Sequence, residues 1–561
     1  VPANDDSYTA TYIGQIDLGE NIAINNQSSY NASEEDGEPN VFSTFYDNAT
    51  VWYKFTTNAS ESLVPSKVAI TATSVANIDA HINVYKSNGS CGFSEIGGVA
   101  QGGLPGTGSN DILTKNDDVD LFCLEANTTY WVRVSGWEIW LQDNHHGIFN
   151  LNFNASIGAT NVTNDNVCNA KDLGNGAPIL LGQNILYTNQ STNCATEQSG
   201  EPNTGSLGVD DATIWYKFTT AADLSNVPAY MAVNTKSIEN LDSHIEIFKS
   251  NGGCNFSDLS SVVEGGLPGT GLNDILTKDD DVEFICLDPN KSYWIQISGW
   301  NYDLFTVDHQ GVFNLEVKSS NGDAGVSNDD LCDATDLGNG SNVSKNFSVN
   351  LTNESSYCAS EQSGEPNTGS SIDIYDDASV WYSFSVDQNS ANIPAFIKIK
   401  LTSKEDIDGH LIVYKGKNED CSFSNLTEVT KGGLPGTGWN DLLTKDDEVY
   451  LGCGSIEPGQ TYWIQVTGWE LWLTNNHWGL FDLNVSGYEQ PLNDNVLNAK
   501  DLNNDQPVAL GQNIALDNQS SYCAGEEPNE PNTFSILTDV STLWYKFKTN
   551  SDPNLVPNGA S

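Results

Sequence analysis

The chain repeats itself at a period of roughly 160 residues, so its fold must be one that a single such copy can complete. Asn4-Asp5 recurs at Asn164-Asp165, Asn328-Asp329 and Asn493-Asp494, and Trp52-Tyr53 at Trp215-Tyr216, Trp381-Tyr382 and Trp544-Tyr545. The string GGLPGTG begins unchanged at Gly102, Gly265 and Gly432, and Gly136-Trp137 returns as Gly299-Trp300 and Gly468-Trp469. These landmarks divide the chain into three copies at 1–163, 164–327 and 328–492, with the start of a fourth at 493–561. The fourth stops before its loop and closing strands. Ending there would leave unpaired strand edges and an open core, so the natural chain is expected to continue.

Within a copy the period is two. Phe149, Leu151 and Phe153 alternate with Asn150, Asn152 and Asn154, and Phe313, Leu315 and Val317 alternate with Asn314, Glu316 and Lys318. Segments from Val51, Val68, Ile82 and Tyr130 read as further strands, punctuated by Gly, Pro, Asn and Asp clusters. No run carries helical periodicity. Roughly eight to nine strands per copy, one face buried, predict an all-β chain, a tandem array of two-sheet sandwiches of jelly-roll type.

Charge excludes several functions. Seventy-five acidic residues against 23 basic give a net charge of −52. Such a surface repels nucleic acid and anionic membrane and attracts divalent cations that screen it. No stretch reaches the ~18 uncharged apolar residues of a spanning helix, so no membrane insertion is expected from this segment. Val1-Pro2-Ala3-Asn4 does not read as a signal peptide, so an export signal is expected outside it.

Eleven cysteines point to an oxidising compartment. Cys91 and Cys123, Cys254 and Cys286, and Cys421 and Cys453 share a separation of 32 residues, while Cys168 with Cys194 and Cys332 with Cys358 share one of 26. Tyr8 and Asn31 replace both members of the second pair in the first copy, as joint loss of a disulfide would have it. No zinc-finger spacing fits. The expected bridges are therefore these pairs, with Cys523 left over opposite Leu497 and the protein extracellular or at the cell surface. Glycosylation sequons are dense, with Asn26, Asn31, Asn48, Asn58, Asn127 and Asn154 in the first copy alone.

The series GEPN, WYKF, Asp79-x-x-Ile82-x-Val84-Tyr85, a nearby Cys, an Asn-Asp-rich loop, Tyr130 to Val134 and Gly147 to Leu151 resembles a known extracellular repeat. It occurs in tandem in large surface and secreted proteins of Bacteroidota, including gliding-motility adhesins, whose fold is similar to CUB and pre-peptidase C-terminal sandwiches. The match covers all three complete copies. It implies an adhesive or structural role.

Four residue groups could carry chemistry. Asp111, Asp117 and Asp118, with Asp274 and Asp280 in the second copy and Asp441 and Asp447 in the third, form an acidic loop that could hold calcium through its oxygens. The plainer account is a solvated hairpin whose Asn and Asp residues cap turns. An alternative calcium set joins Glu38, Asp47 and Asp79, then Glu201, Asp210 and Asp242, then Glu365, Asp376 and Asp408. It resembles the ligand order of CUB-type calcium sites. Against it stands a loop anchored by glutamate-to-backbone hydrogen bonds. Six of seven histidines fall at two repeated positions, His81, His244, His410 and His145, His309, His477. Two histidines and a carboxylate would suit a transition metal if the strands brought them together, and neutral imidazoles tying loop to strand would not need one. Last, Trp137 and Trp140, Trp300, and Trp469 and Trp472 lie in an aromatic loop suited to packing between domains, to core packing or to stacking on glycans.

No Gly-x-Ser-x-Gly elbow and no zincin helix is present, and identical copies suit reach and avidity better than catalysis. Few residues separate one copy's last strand from the next copy's Asn-Asp, so neighbouring copies are expected to touch. The preferred reading is a non-enzymatic stalk or filament of a large adhesin, stabilised by calcium and disulfides. Its partners would be neighbouring repeats and lateral copies. Alternatives are a tandem carbohydrate-binding array and the non-catalytic region of a secreted hydrolase.

Overall fold

A computed structural model describes residues 1–39, 49–87, 92–102, 115–136, 145–202, 212–250, 252–265, 278–299, 310–366, 378–416, 422–432, 445–468, 478–517, 519–528, 530–531 and 541–559. They group into two units. The first holds Val1–Ala222, Met231–Phe284 and Asp288–Ser319; the second holds Asp223–Tyr230, Ile285–Leu287 and Ser320–Ser561.

The alternating segments become strands, and no α-helix occurs among the described residues. In the first copy these are β1 Thr11–Ile16, β2 Asn21–Ser28, β3 Val51–Thr57, β4 Lys67–Ala76, β5 Ala80–Ser87, β6 Gly97–Gln101, β7 Asp117–Phe122, β8 Thr129–Gly136 and β9 Ile148–Ala155. One sheet runs β1-β3-β8-β5-β6 and the other β2-β9-β4-β7. Without β1 this is the eight-strand jelly roll, in which consecutive strands mostly alternate between two interlocking four-stranded sheets. β1 adds a ninth strand, parallel to β3 in a register that sets Thr11 beside Tyr53. The same two orders recur in the second and third copies, and the fourth contributes one short parallel pair, Lys500–Asp501 with Tyr545–Lys546.

Between the sheets, Val51, Tyr53 and Phe55 of β3 and Val132 and Val134 of β8 meet Ile70, Leu151 and Phe153 of the opposing sheet. The expectation of one buried face holds for β2 and β9 but not for the five-stranded sheet. Its outer face is buried too, because Trp52, Tyr85 and Trp131 gather there under Ala10, Phe93 and Ile96. Trp215, Phe248 and Trp294 repeat the arrangement in the second copy, and Trp381, Tyr414 and Trp463 in the third. Trp52 is fully enclosed. Each copy therefore has a main core and a smaller aromatic one.

Part of the sequon density has a backbone cause. Asn26, Asn31 and Asn127 all sit at positive φ, a conformation that asparagine tolerates better than other side-chain-bearing residues. Asn26 forms the bulge in β2, its N–H donating to Asn150 Oδ1 at 2.8 Å, and Asn189 and Asn353 do the same in their copies.

Emptying the outer cluster should cost about as much as emptying a core. Trp52→Ala is expected to destabilise the first copy by about 3–5 kcal/mol in denaturant unfolding of the full chain. A loss below about 1 kcal/mol would mean that this face is not a core.

Candidate functional site

Each jelly roll buries two polar groups, one where the four-stranded sheet meets β5 and one on the outer face of the five-stranded sheet. The first group is the aspartate that opens β7. Asp117 Oδ2 accepts the Ile82 N–H at 2.7 Å and Oδ1 accepts the Asp118 N–H at 3.0 Å, while His81 Nδ1 lies 3.3 Å from Oδ2. Asp280 with His244, and Asp447 with His410, reproduce it. The carboxylate thus ties β7 to β5 across the two sheets. It also explains the first glycine of GGLPGTG, since a Cβ on Gly102 would stand 1.8 Å from Asp117 Oδ2. Gly265 and Gly432 meet Asp280 and Asp447 as closely.

The second group centres on the glutamate of GEPN. Glu38 Oε1 accepts from Arg133 Nε at 2.8 Å, and Oε2 accepts the Glu35 N–H at 2.9 Å and the Thr50 hydroxyl at 3.1 Å. The arginine is fully buried. In the third copy the cation is replaced by an amide, with Gln465 Nε2 donating to Glu365 Oε1 at 3.0 Å alongside Trp381 Nε1 at 3.2 Å. Gln296 and Trp215 Nε1 serve Glu201 likewise. The glutamate is therefore a loop anchor, the plainer of the two readings offered for it.

Among the described residues no three His, Cys, Asp or Glu side chains form a metal-binding group. Asp47, Asp111, Asp210, Asp274, Asp376 and Asp441 lie outside the described residues, as do His309, His477, Trp137, Trp140, Trp300, Trp469 and Trp472. Trp478, just past the aromatic loop, packs with Tyr230, Ile285, Tyr357 and Leu480.

That packing belongs to a surface that sequence reading anticipated only as short linkers. Within the first unit, Glu239 of the second copy accepts from Ser156 Oγ at 2.6 Å and from the Ile157 N–H at 3.0 Å. Asn193 Nδ2 donates to Ser66 Oγ at 2.8 Å, and both residues are buried. Within the second unit the Asn193 position is aromatic, while the Glu239 position keeps a polar contact, Asn321 Nδ2 donating to Glu405 Oε1 at 3.2 Å. Tyr357 stacks on Tyr230 with ring centroids 5.4 Å apart, and Tyr522 stacks on Phe396 at 3.9 Å. Both sides of the contact change together: Ser66 and Asn193 hydrogen-bond, whereas Tyr357 and Tyr522 each meet a ring.

The cysteine pairing expected from constant spacing is overturned. Cys168 bonds Cys254, with Cα atoms 5.1 Å apart, and Cys453 bonds Cys523, with Cα atoms 5.4 Å apart. So neither Cys168–Cys194, nor Cys254–Cys286, nor Cys421–Cys453 is formed, and Cys523 is not left over. Cys332 is also disulfide-bonded, which removes Cys332–Cys358 because Cys358 is a free thiol. Cys91 and Cys421 lie outside the described residues. The Cys168–Cys254 bridge pins the segment from Val167 over the outer aromatic cluster. Tyr8 holds the Cys168 position in the first copy, its hydroxyl beside Gly92. Tyr8 and Asn31 thus stand for members of two different bridges, not one lost pair. Equal spacing could not distinguish a partner in the same copy from one in the next.

Burial holds the carboxyls of Glu38, Glu365, Asp79 and Asp408 above their ordinary values, desolvation being the largest cause in each; the Arg133 guanidinium opposes it at Glu38.

No protein-family model and no curated protein matches the chain. Among solved structures it is similar to a protein of Parabacteroides distasonis at 8% identity, covering 55% of this chain and 91% of that one with a TM-score of 0.17. PNGase F, a glycosylasparaginase from Flavobacterium meningosepticum, gives 11% identity, 54% and 96% coverage and a TM-score of 0.14. A Paenibacillus xanthan lyase gives 11% identity, 64% and 30% coverage and a TM-score of 0.17. Superpositions this loose carry no argument about this chain.

Two predictions follow from the buried charges. Glu38→Ala strands a buried guanidinium and should cost the first copy about 3–5 kcal/mol, whereas Arg133→Gln supplies the amide used elsewhere and should cost much less. Calorimetry of the full chain checks this, and equal losses would contradict it. The raised carboxyls stabilise the folded state fully below their ordinary values, and this contribution is lost as pH rises through the raised ones. The melting temperature is therefore expected to be higher at pH 5 than at pH 7.5; a lower one would contradict the assignment.

Proposed function

We propose that this chain is a non-catalytic structural segment of an extracellular or cell-surface protein, a stalk whose copies bear load and hold adhesive parts elsewhere. The observation that carries this reading is the Cys453–Cys523 bond, which joins the third copy to the fourth. A cross-link between successive copies, added to the backbone connection, resists their separation under tension. Junction pairs such as Tyr357 on Tyr230 support it, because they fix neighbours in contact instead of freeing them. Disulfides themselves favour an oxidising, extracellular compartment.

Calcium has a place in this reading as a counterion. A net charge of −52 opposes compaction, and divalent cations bound at the acidic loops would relieve it. The adhesin resemblance supplies the setting, with neighbouring repeats as the direct partners and lateral copies as further ones.

The test is binding by the chain itself. The purified chain is expected to show no binding above background on a glycan array, and its melting temperature is expected to fall when EDTA removes calcium. Selective capture of one glycan class would replace the stalk reading with that of a carbohydrate-binding array. An unchanged melting temperature would remove calcium from the account.

A further inference from the structure

Cys123, Cys286 and Cys453 hold one repeat position, just after the strand that begins at Asp117, Asp280 or Asp447. Cys194, Cys358 and Cys523 hold another, in the following copy. The last pair is bonded. In the other two, the thiols lie within hydrogen-bonding reach of each other. The surroundings match as well. Cys123 Sγ donates to the Asn193 carbonyl at 3.3 Å and Cys286 Sγ to the Tyr357 carbonyl at 3.4 Å, each being the residue before the partner cysteine. Cys123 and Cys286 both sit at positive φ, where a non-glycine residue persists only when its neighbours over-determine the backbone. Their amides are fixed, donating to the Ser66 and Ala229 carbonyls at 2.8 Å.

We infer that Cys123–Cys194 and Cys286–Cys358 are disulfides in the mature protein, so that every junction in this chain carries the bridge seen at Cys453–Cys523. The link is formed by exchange with a disulfide oxidant, either an extracytoplasmic dithiol oxidase or a small-molecule disulfide. One cysteine, as thiolate, attacks a sulfur of the oxidant and expels a thiol. Its neighbour then displaces the second thiol from the mixed disulfide. Two electrons and two protons pass to the oxidant, which leaves reduced.

The inference also settles the odd cysteine. In the repeat Cys91 holds the position of Cys254, and the position of Cys168, the partner of Cys254, is Tyr8 in the first copy. Cys91 would then be the thiol without a partner. The bridges stand independently of the stalk reading, because a chain with another role would carry them equally.

The experiment is disulfide mapping of the full chain after folding in a glutathione redox buffer. Free thiols are blocked with iodoacetamide before any reduction, and peptides are sequenced by mass spectrometry. The expected result is cross-linked peptides joining Cys123 to Cys194 and Cys286 to Cys358, beside Cys453–Cys523, with Cys91 alkylated. Alkylation of Cys123, Cys194, Cys286 and Cys358 would overturn the proposal, and so would bridges of Cys123 to Cys91 or of Cys286 to Cys254.

Discussion

A jelly roll satisfies its strands sideways but leaves two ends where loops and strand termini expose backbone and side-chain polar groups. This chain meets that constraint by setting one copy's end against the next. Ser66 and Ser156, at one end of the first copy, are buried, and their hydroxyls find Asn193, Ser191 and Glu239 of the second. Burial of hydroxyls and carboxylates is tolerable only when each finds a partner. The contacts are thus conditional on both copies being present and correctly faced. Where the pair is aromatic, as at Tyr230 with Tyr357, stacking stands beside a polar contact from Asn321 Nδ2 to Glu405 Oε1 at 3.2 Å.

The same economy operates inside a copy. Asp117 closes β7 onto β5 through the Ile82 N–H and accepts its own strand's Asp118 N–H, and Gly102 must lack a side chain to let the chain pass over it. The repeated glutamate roofs the outer face whether an arginine donates to it, as Arg133 does to Glu38, or a glutamine, as Gln296 does to Glu201 and Gln465 to Glu365. The repeated carboxylates that looked like metal ligands therefore have structural partners at Asp117, Asp280, Asp447, Glu38, Glu201 and Glu365.

Much of this was legible in the residues. Alternation in segments such as Phe149 to Phe153 specified strands and their inward face, and the landmarks from Asn4 to Gly136 marked out the copies. Nothing in that alternation marks β1 as a parallel partner of β3, since pairing direction leaves no trace in a six-residue strand. The second buried face was hidden because Trp52, Tyr85 and Trp131 read as the outward half of a period-two pattern. Cysteine pairing was misread for a geometric reason. In a tandem array constant spacing follows from repetition and not from bonding, and the bonded Cys453 and Cys523 are 70 residues apart where the matching Cys123 and Cys194 are 71. Only the chain's three-dimensional course separates them.

Consecutive copies hold one another in fixed contact, through polar groups between the first and second copies. Hydrogen exchange at the Ile157 amide of the intact chain tests it most directly, because that N–H donates to Glu239 of the next copy at 3.0 Å. The account predicts slow exchange that accelerates in Glu239→Ala while amides of β9 stay protected. Exchange at Ile157 as fast as in exposed loop residues, unchanged by that substitution, would mean that the copies do not hold one another.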